Sequence, residues 1–197
     1  MKEKIQTVIH NLKLKIKRIR FRGRILAGIV GALLLLWGVS VFIFSQEDSG
    51  VTAAATELSQ LADNIRRQYQ NRPDYWGLNT QAVIDKKIAP LAMLKSGTLI
   101  GYMGNTVTVG YGADGSLLMP GARNFDIAYH GLSTKQCSEL AGYKFPQNFW
   151  LGVSGISIIS RQQETLFTWD DETNQLPISK DKARTLCTAD STIIWHF

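Results

Sequence analysis

Residues Ile25 to Phe44 read ILAGIVGALLLLWGVSVFIF, twenty positions without a charged side chain. At ~1.5 Å per residue a helix of that length reaches ~30 Å, the thickness of a bilayer's hydrocarbon core. The stretch is expected to be a transmembrane helix, and the rest of the chain is arranged about it.

The charge is divided at this point. Nine of the 22 Lys and Arg lie in residues 1–24, opposed only by Glu3, while the remainder carries 13 basic against 15 acidic residues. The high isoelectric point thus belongs to the leader, and no basic patch remains downstream to support nucleic-acid binding. Basic residues beside an apolar run mark the cytoplasmic side of a membrane. The expected placement is therefore a membrane, with residues 1–23 in the cytoplasm and everything after Phe44 outside it, which in a bacterium means the inner membrane and the periplasm. The leader spaces Ile5, Val8, Ile9, Leu12, Ile16 and Ile19 at helical intervals, as in a basic amphipathic helix on the membrane surface. A secretory signal peptide fits poorly, because the apolar core is too long and no small-x-small site follows it closely.

The only cysteines, Cys137 and Cys187, both fall in the exported part, where an oxidising compartment favours a disulfide.

Beyond the polar SQEDSG segment, Val51, Ala54, Ala55, Leu58, Leu61, Ala62, Ile65 and Tyr69 recur every three to four residues. This predicts an amphipathic helix over 51–71, ended by Arg72–Pro73. With the apolar run it forms one long helix over 24–72. A short helix is expected near Asn79 to Lys87. From Thr98 the period becomes two, predicting strands over Thr98–Tyr102, Thr106–Tyr111, Asn124–Tyr129, Phe149–Val153, Ile156–Ser160, Thr165–Trp169 and Thr192–Trp195. Ser133 with Gln136 makes a capping box for a helix reaching Ala141, and Ser179 caps another over Lys180–Leu186. The outline is an α+β protein: a long N-terminal helix packed on an antiparallel sheet domain over 73–197.

Candidate chemistry is sparse, and no enzyme is indicated. His130, between Tyr129 and Gly131 at a strand end, reads as structural. Neither cysteine neighbours an obvious base. The glycines of 101–115 separate strands and open no helix, so they form no phosphate loop. Asp170, Asp171 and Glu172 read as a solvated turn, since three adjacent acids seldom supply the oxygens that Ca²⁺ requires. Trp76, Trp150, Trp169 and Trp195 stand on separate elements and read as core or subunit-contact residues rather than a ligand groove. No cofactor or metal is implied.

The parts in this order resemble a type IVb pilin: basic leader, Gly, apolar helix continuing as an amphipathic one, then a sheet domain with two late cysteines. NFDIAYHGLSTKQCSEL, residues 124–140, is similar to the family's strand, loop and helix bearing the first disulfide cysteine. TLCTADSTIIWHF, residues 185–197, looks like the second cysteine and a closing strand. The resemblance implies a pilus subunit that polymerises with copies of itself through its N-terminal helix, for adhesion or conjugative cell contact. It implies a prepilin peptidase cutting after Gly23 to leave Arg24 as the first residue, and an assembly machinery that draws subunits from the membrane. The sequence departs from the family at two places: Arg24 stands where an apolar or aromatic residue is usual, and Gly28 where a Glu is usual. Register in a filament then falls to close helix packing at Ala27, Gly28, Gly31 and Ala32. A second reading explains those departures more simply: a single-pass protein that never polymerises and serves as a periplasmic scaffold or sensor of a secretion or conjugation system.

Overall fold

The computed structural model describes residues 50–111 and 124–197. The expectations for the leader, the cleavage site at Gly23 and Arg24, the span Ile25–Phe44 and the packing residues Ala27, Gly28, Gly31 and Ala32 lie outside them. Among the described residues no helix is long and apolar enough to cross a membrane.

Helix α1 occupies residues 50–69. Its apolar stripe, from Val51 through Leu58 and Ile65 to Tyr69, is buried and belongs to one continuous core with the sheet. Helix α2 (Thr80–Asp85) begins where the Asn79 side chain accepts the Ala82 N–H at 2.8 Å. A 3₁₀ turn (Leu91–Met93) leads into a two-stranded ribbon of β1 (Leu94–Lys95) and β2 (Thr98–Leu99). The main sheet is antiparallel, in the order β3 (Val107–Gly110), β4 (Asp126–Leu132), β7 (Ser191–His196), β5 (Gly155–Ser160), β6 (Gln163–Thr168). The last strand of the chain therefore lies at the centre and β3 and β6 form the edges.

Helices α3 (Thr134–Ala141) and α5 (Lys180–Leu186) pack on each other. Both start as the capping residues dictate. Ser133 and Gln136 satisfy each other's backbone donors, and Ser179 accepts from Lys182 N.

Two expectations are corrected. Phe149–Val153 is no strand: Pro146 opens a helical turn, α4 (Gln147–Trp150), and a loop follows. Phe149 has three aromatic partners: it stacks on Phe145 at 3.9 Å and meets Trp150 and Phe197 edge-on. Clustering those rings on one side needs a helical turn, because a strand would send alternate side chains to opposite faces. The strand expected over Thr98–Tyr102 is cut to two residues. A tight turn, in which Gly104 N donates to the Gly101 carbonyl, takes the chain out of the pleat, with only an isolated bridge left between Ile100 and Thr106.

Strand β4 carries a bulge between Tyr129 and Leu132, where the register against β7 shifts. Gly131 sits there at φ +65°, the left-handed region that favours glycine. The two carbonyls displaced by the bulge, of His130 and Gly131, accept from Asn105 Nδ2 at 3.2 and 3.0 Å.

Candidate functional site

The surfaces available for function follow from what each element buries. Helix α1 turns its apolar stripe inward and leaves Thr52, Thr56, Gln60 and Arg67 exposed. Thr56 Oγ1 donates to the Thr52 carbonyl and Ser59 Oγ to the Ala55 carbonyl, both at 2.8 Å. Its one inward carboxylate is Glu57, which accepts the Tyr102 N–H at 2.7 Å. Burial raises the Glu57 pKa, and the Tyr102 N–H and Lys95 oppose the rise in part. At the far end of α1, Asn64 Nδ2 donates to the Ile88 carbonyl. Arg66 donates to the Leu151 carbonyl at 3.0 Å and stands over the ring of Phe197. These contacts tie the helix to the segments that connect the strands and to the C-terminal residue.

Cys137 and Cys187 are bonded to each other, with Cα atoms 5.7 Å apart and a separation of 50 positions in sequence. Cys137 lies within α3 and Cys187 caps the end of α5, so the bond joins the helix pair to the start of β7.

The outer face of the sheet holds a polar centre that sequence reading missed. Asp126 Oδ1 lies 2.7 Å from His196 Nδ1, and His196 Nε2 lies 3.0 Å from Ser157 Oγ. Asp126 and His196 are register partners on β4 and β7, and Ser157 stands diagonally across on β5, opposite Ile194, so strand register brings the three together. The connectivity is that of a nucleophile, base and orienting acid. The chemistry does not follow, because Ser157 is wholly buried and sits in mid-strand with a bonded neighbour on each side. Its backbone N–H serves the ladder and is not free to receive an oxyanion. The centre instead satisfies three polar side chains on a half-covered face. No local signal in the sequence announces it, since its members are 31 and 39 residues apart.

Other predicted residues fall into structural roles. His130 lies between the hydroxyls of Thr108 (2.7 Å) and Thr192 (3.3 Å), and burial lowers its pKa. Asp171 Oδ1 accepts from Thr173 N and Asn174 N, and these bonds hold its carboxyl below the usual range. Trp195 is buried against Tyr129, ring centroids 5.5 Å apart. Trp150 meets Trp169 edge-on, and Trp76 meets Tyr111. Trp76 and Trp169 remain exposed. The four do not form one groove. Among the described residues no group of three His, Cys, Asp or Glu could hold a metal ion.

The sequence model of the bundlin family matches residues 45–193, which is most of the chain. The chain belongs to the bundlin family of type IVb pilins. As a bundlin-family protein it is a structural subunit of a pilus, from a family that builds filaments and not enzymes. Among solved structures it is similar to the type IVb pilin from Salmonella typhi, at 17% identity and a TM-score of 0.48, over 75% of this chain and 97% of that one. It is also similar to TcpA, a type IV pilin from the El Tor biotype of Vibrio cholerae, at 14% identity and a TM-score of 0.46, over 76% of this chain and 99% of that one. Comparison with curated protein sequences gives no match. In this bundlin-family domain the helix and the central C-terminal strand share one core, and the disulfide joins α3 to the end of α5.

Proposed function

We propose that this pilin is stored in the bacterial inner membrane by residues 25–44, with residues 1–23 in the cytoplasm and the sheet domain in the periplasm. From there a prepilin peptidase and the pilus assembly machinery pass it into an extracellular filament. Family membership is the observation that carries this reading. The apolar run ends at Phe44 and the family match begins at residue 45, which supports a separate anchor followed by a pilin body.

In this reading residues 24–72 form the stem through which copies pack. The outward face of α1 suits such packing. The hydroxyls of Thr56 and Ser59 already donate within the helix, so covering them leaves neither unpaired. Ala27, Gly28, Gly31 and Ala32 let helices approach closely higher in the stem. The filament then serves adhesion or conjugative contact between cells.

One observation favours the alternative, a single-pass scaffold or sensor that stays anchored. Arg24 and Gly28 occupy the positions where cleaved pilins carry an apolar residue and a Glu. The two readings separate by experiment. Mass spectrometry of the protein in sheared surface filaments is expected to show a chain beginning at Arg24. An intact residue 1 in filaments would remove the cleavage step. Absence of the protein from sheared fractions would favour the anchored scaffold.

A further inference from the structure

Two of the tryptophans on separate elements meet at the surface. Trp150 ends α4, and Trp169 follows β6. Their ring centroids lie 5.6 Å apart and their planes cross at 82°. Each indole is fixed through its N–H. Trp150 Nε1 donates to the Phe145 carbonyl at 3.3 Å, and Trp169 Nε1 to the Val153 carbonyl at 2.8 Å. Trp150 also touches the buried rings of Phe145 and Phe149. Trp169 is 40% exposed and Trp150 is half-buried. The loop after β6 closes on itself, since Thr168 N donates to the Asn174 carbonyl and Leu176 N to the Thr168 carbonyl. That closure holds Trp169 beside the acidic residues that follow it.

Perpendicular rings with both N–H groups bonded to backbone form a corner walled by π faces. Such faces are the negative side of the ring quadrupole and attract a cation. The charge around the corner has the matching sign. Asp170, Asp171 and Glu172 follow Trp169 directly. Asp171 accepts the Thr173 and Asn174 N–H groups, which favour its charged form. Three basic groups stand nearby. Lys182 acts on Asp171, Arg66 reaches the Leu151 carbonyl but is paired with Asp63, and Lys144 precedes Phe145. Asp170 and Glu172 are exposed and make no ion pair among the described residues, so they set the field at the rim.

We propose that the corner between Trp150 and Trp169 is a binding site for a trimethylammonium group, as carried by choline. A bare ammonium needs acceptors for its three N–H bonds, and ring faces offer no lone pair. A trimethylammonium group has no N–H to satisfy, and its charge is spread over methyls that pack on the indole carbons. The acidic rim adds attraction that needs no direct contact. The site belongs to the folded domain and stands apart from the filament reading.

The test uses the full chain in a maltoside detergent, with free phosphocholine as the probe and its methyl proton signal as the readout. Saturable binding is expected with a Kd of about 1 mM, the scale of a small cation held by two rings. Trp169→Ala is expected to weaken it about tenfold, and D170N/E172Q about threefold at low salt. The neutral tert-butyl isostere of choline, which has the shape without the charge, is expected to bind about tenfold more weakly, as is phosphoethanolamine. Absence of saturation, equal binding of the isostere, or undiminished binding by Trp169→Ala would overturn the site. The isostere comparison needs no variant, so it decides the matter even if Trp169→Ala fails to fold. A second arm places the chain in choline-free bilayers and adds vesicles of phosphatidylcholine. Capture of the vesicles assigns the choline to a lipid headgroup, and binding of free phosphocholine without capture assigns it to a soluble or sugar-linked form.

Discussion

A methyl group added at Gly101 would lie 2.8 Å from Cε1 of Tyr129, inside any ordinary carbon contact. The Tyr129 ring cannot retreat, because it is wholly buried and held edge-on by Trp195. Gly101→Ala is therefore expected to destabilise the domain by about 1–3 kcal/mol, the usual scale of overpacking, as read from chemical denaturation. Glu57 gives a prediction in pH. Burial raises its pKa above the usual 4.5, so between those two values the folded chain holds a proton that the unfolded chain has released. Stability then falls as pH climbs through that window, and the charged carboxylate at neutral pH is the less favourable form. Glu57→Gln keeps an oxygen for the Tyr102 N–H and removes the ionisation. The variant is expected to be at least as stable as wild type at pH 7 and to lack the fall just above pH 4.5; an unchanged slope would assign it to another group. His130 has the opposite sign. Its lowered pKa means that stability is lost as pH drops below 6.5, where the unfolded chain takes up a proton first. Comparing E57Q with wild type cancels that contribution.

Among the elements, those closed by local chemistry were legible in the sequence. Ser133 and Gln136 set the start of α3, Ser179 that of α5, and the run of period-four apolar residues predicted α1. Each signal acts within one turn of backbone and needs no distant partner. Ser133→Ala is accordingly expected to cost about 1 kcal/mol, the ordinary value of a lost N-cap, measured by thermal or chemical unfolding. The disulfide between α3 and the end of α5 closes a loop of 50 residues. Cys137→Ser with Cys187→Ser is expected to lower stability by up to about 4 kcal/mol. The double variant should migrate identically with and without reductant, while wild type should not. Phe149–Val153 was misread because its apolar residues suit either element, and rings gathered from Phe145, Trp150 and Phe197 decided for the helical turn. The ribbon of β1 and β2 escaped notice because strands of two residues leave no periodicity to read.

For the whole molecule, the order of its parts on the chain was enough to indicate a pilin: basic leader, apolar run, amphipathic helix, strands and two late cysteines. Those features are linear, since hydropathy, charge sign and compartment depend on composition along the chain and not on contacts. The sequence by itself thus determined the α+β class, the partition of charge, the expected membrane anchor and the helix starts. Only the tertiary structure decided that the C-terminal strand lies at the centre of the sheet with β3 and β6 at its edges. It also decided that Asp126, His196 and Ser157 meet on three neighbouring strands. The physical reason is register. Which strands become neighbours depends on how all of them bury their apolar faces at once against α1, and no window of sequence contains that sum.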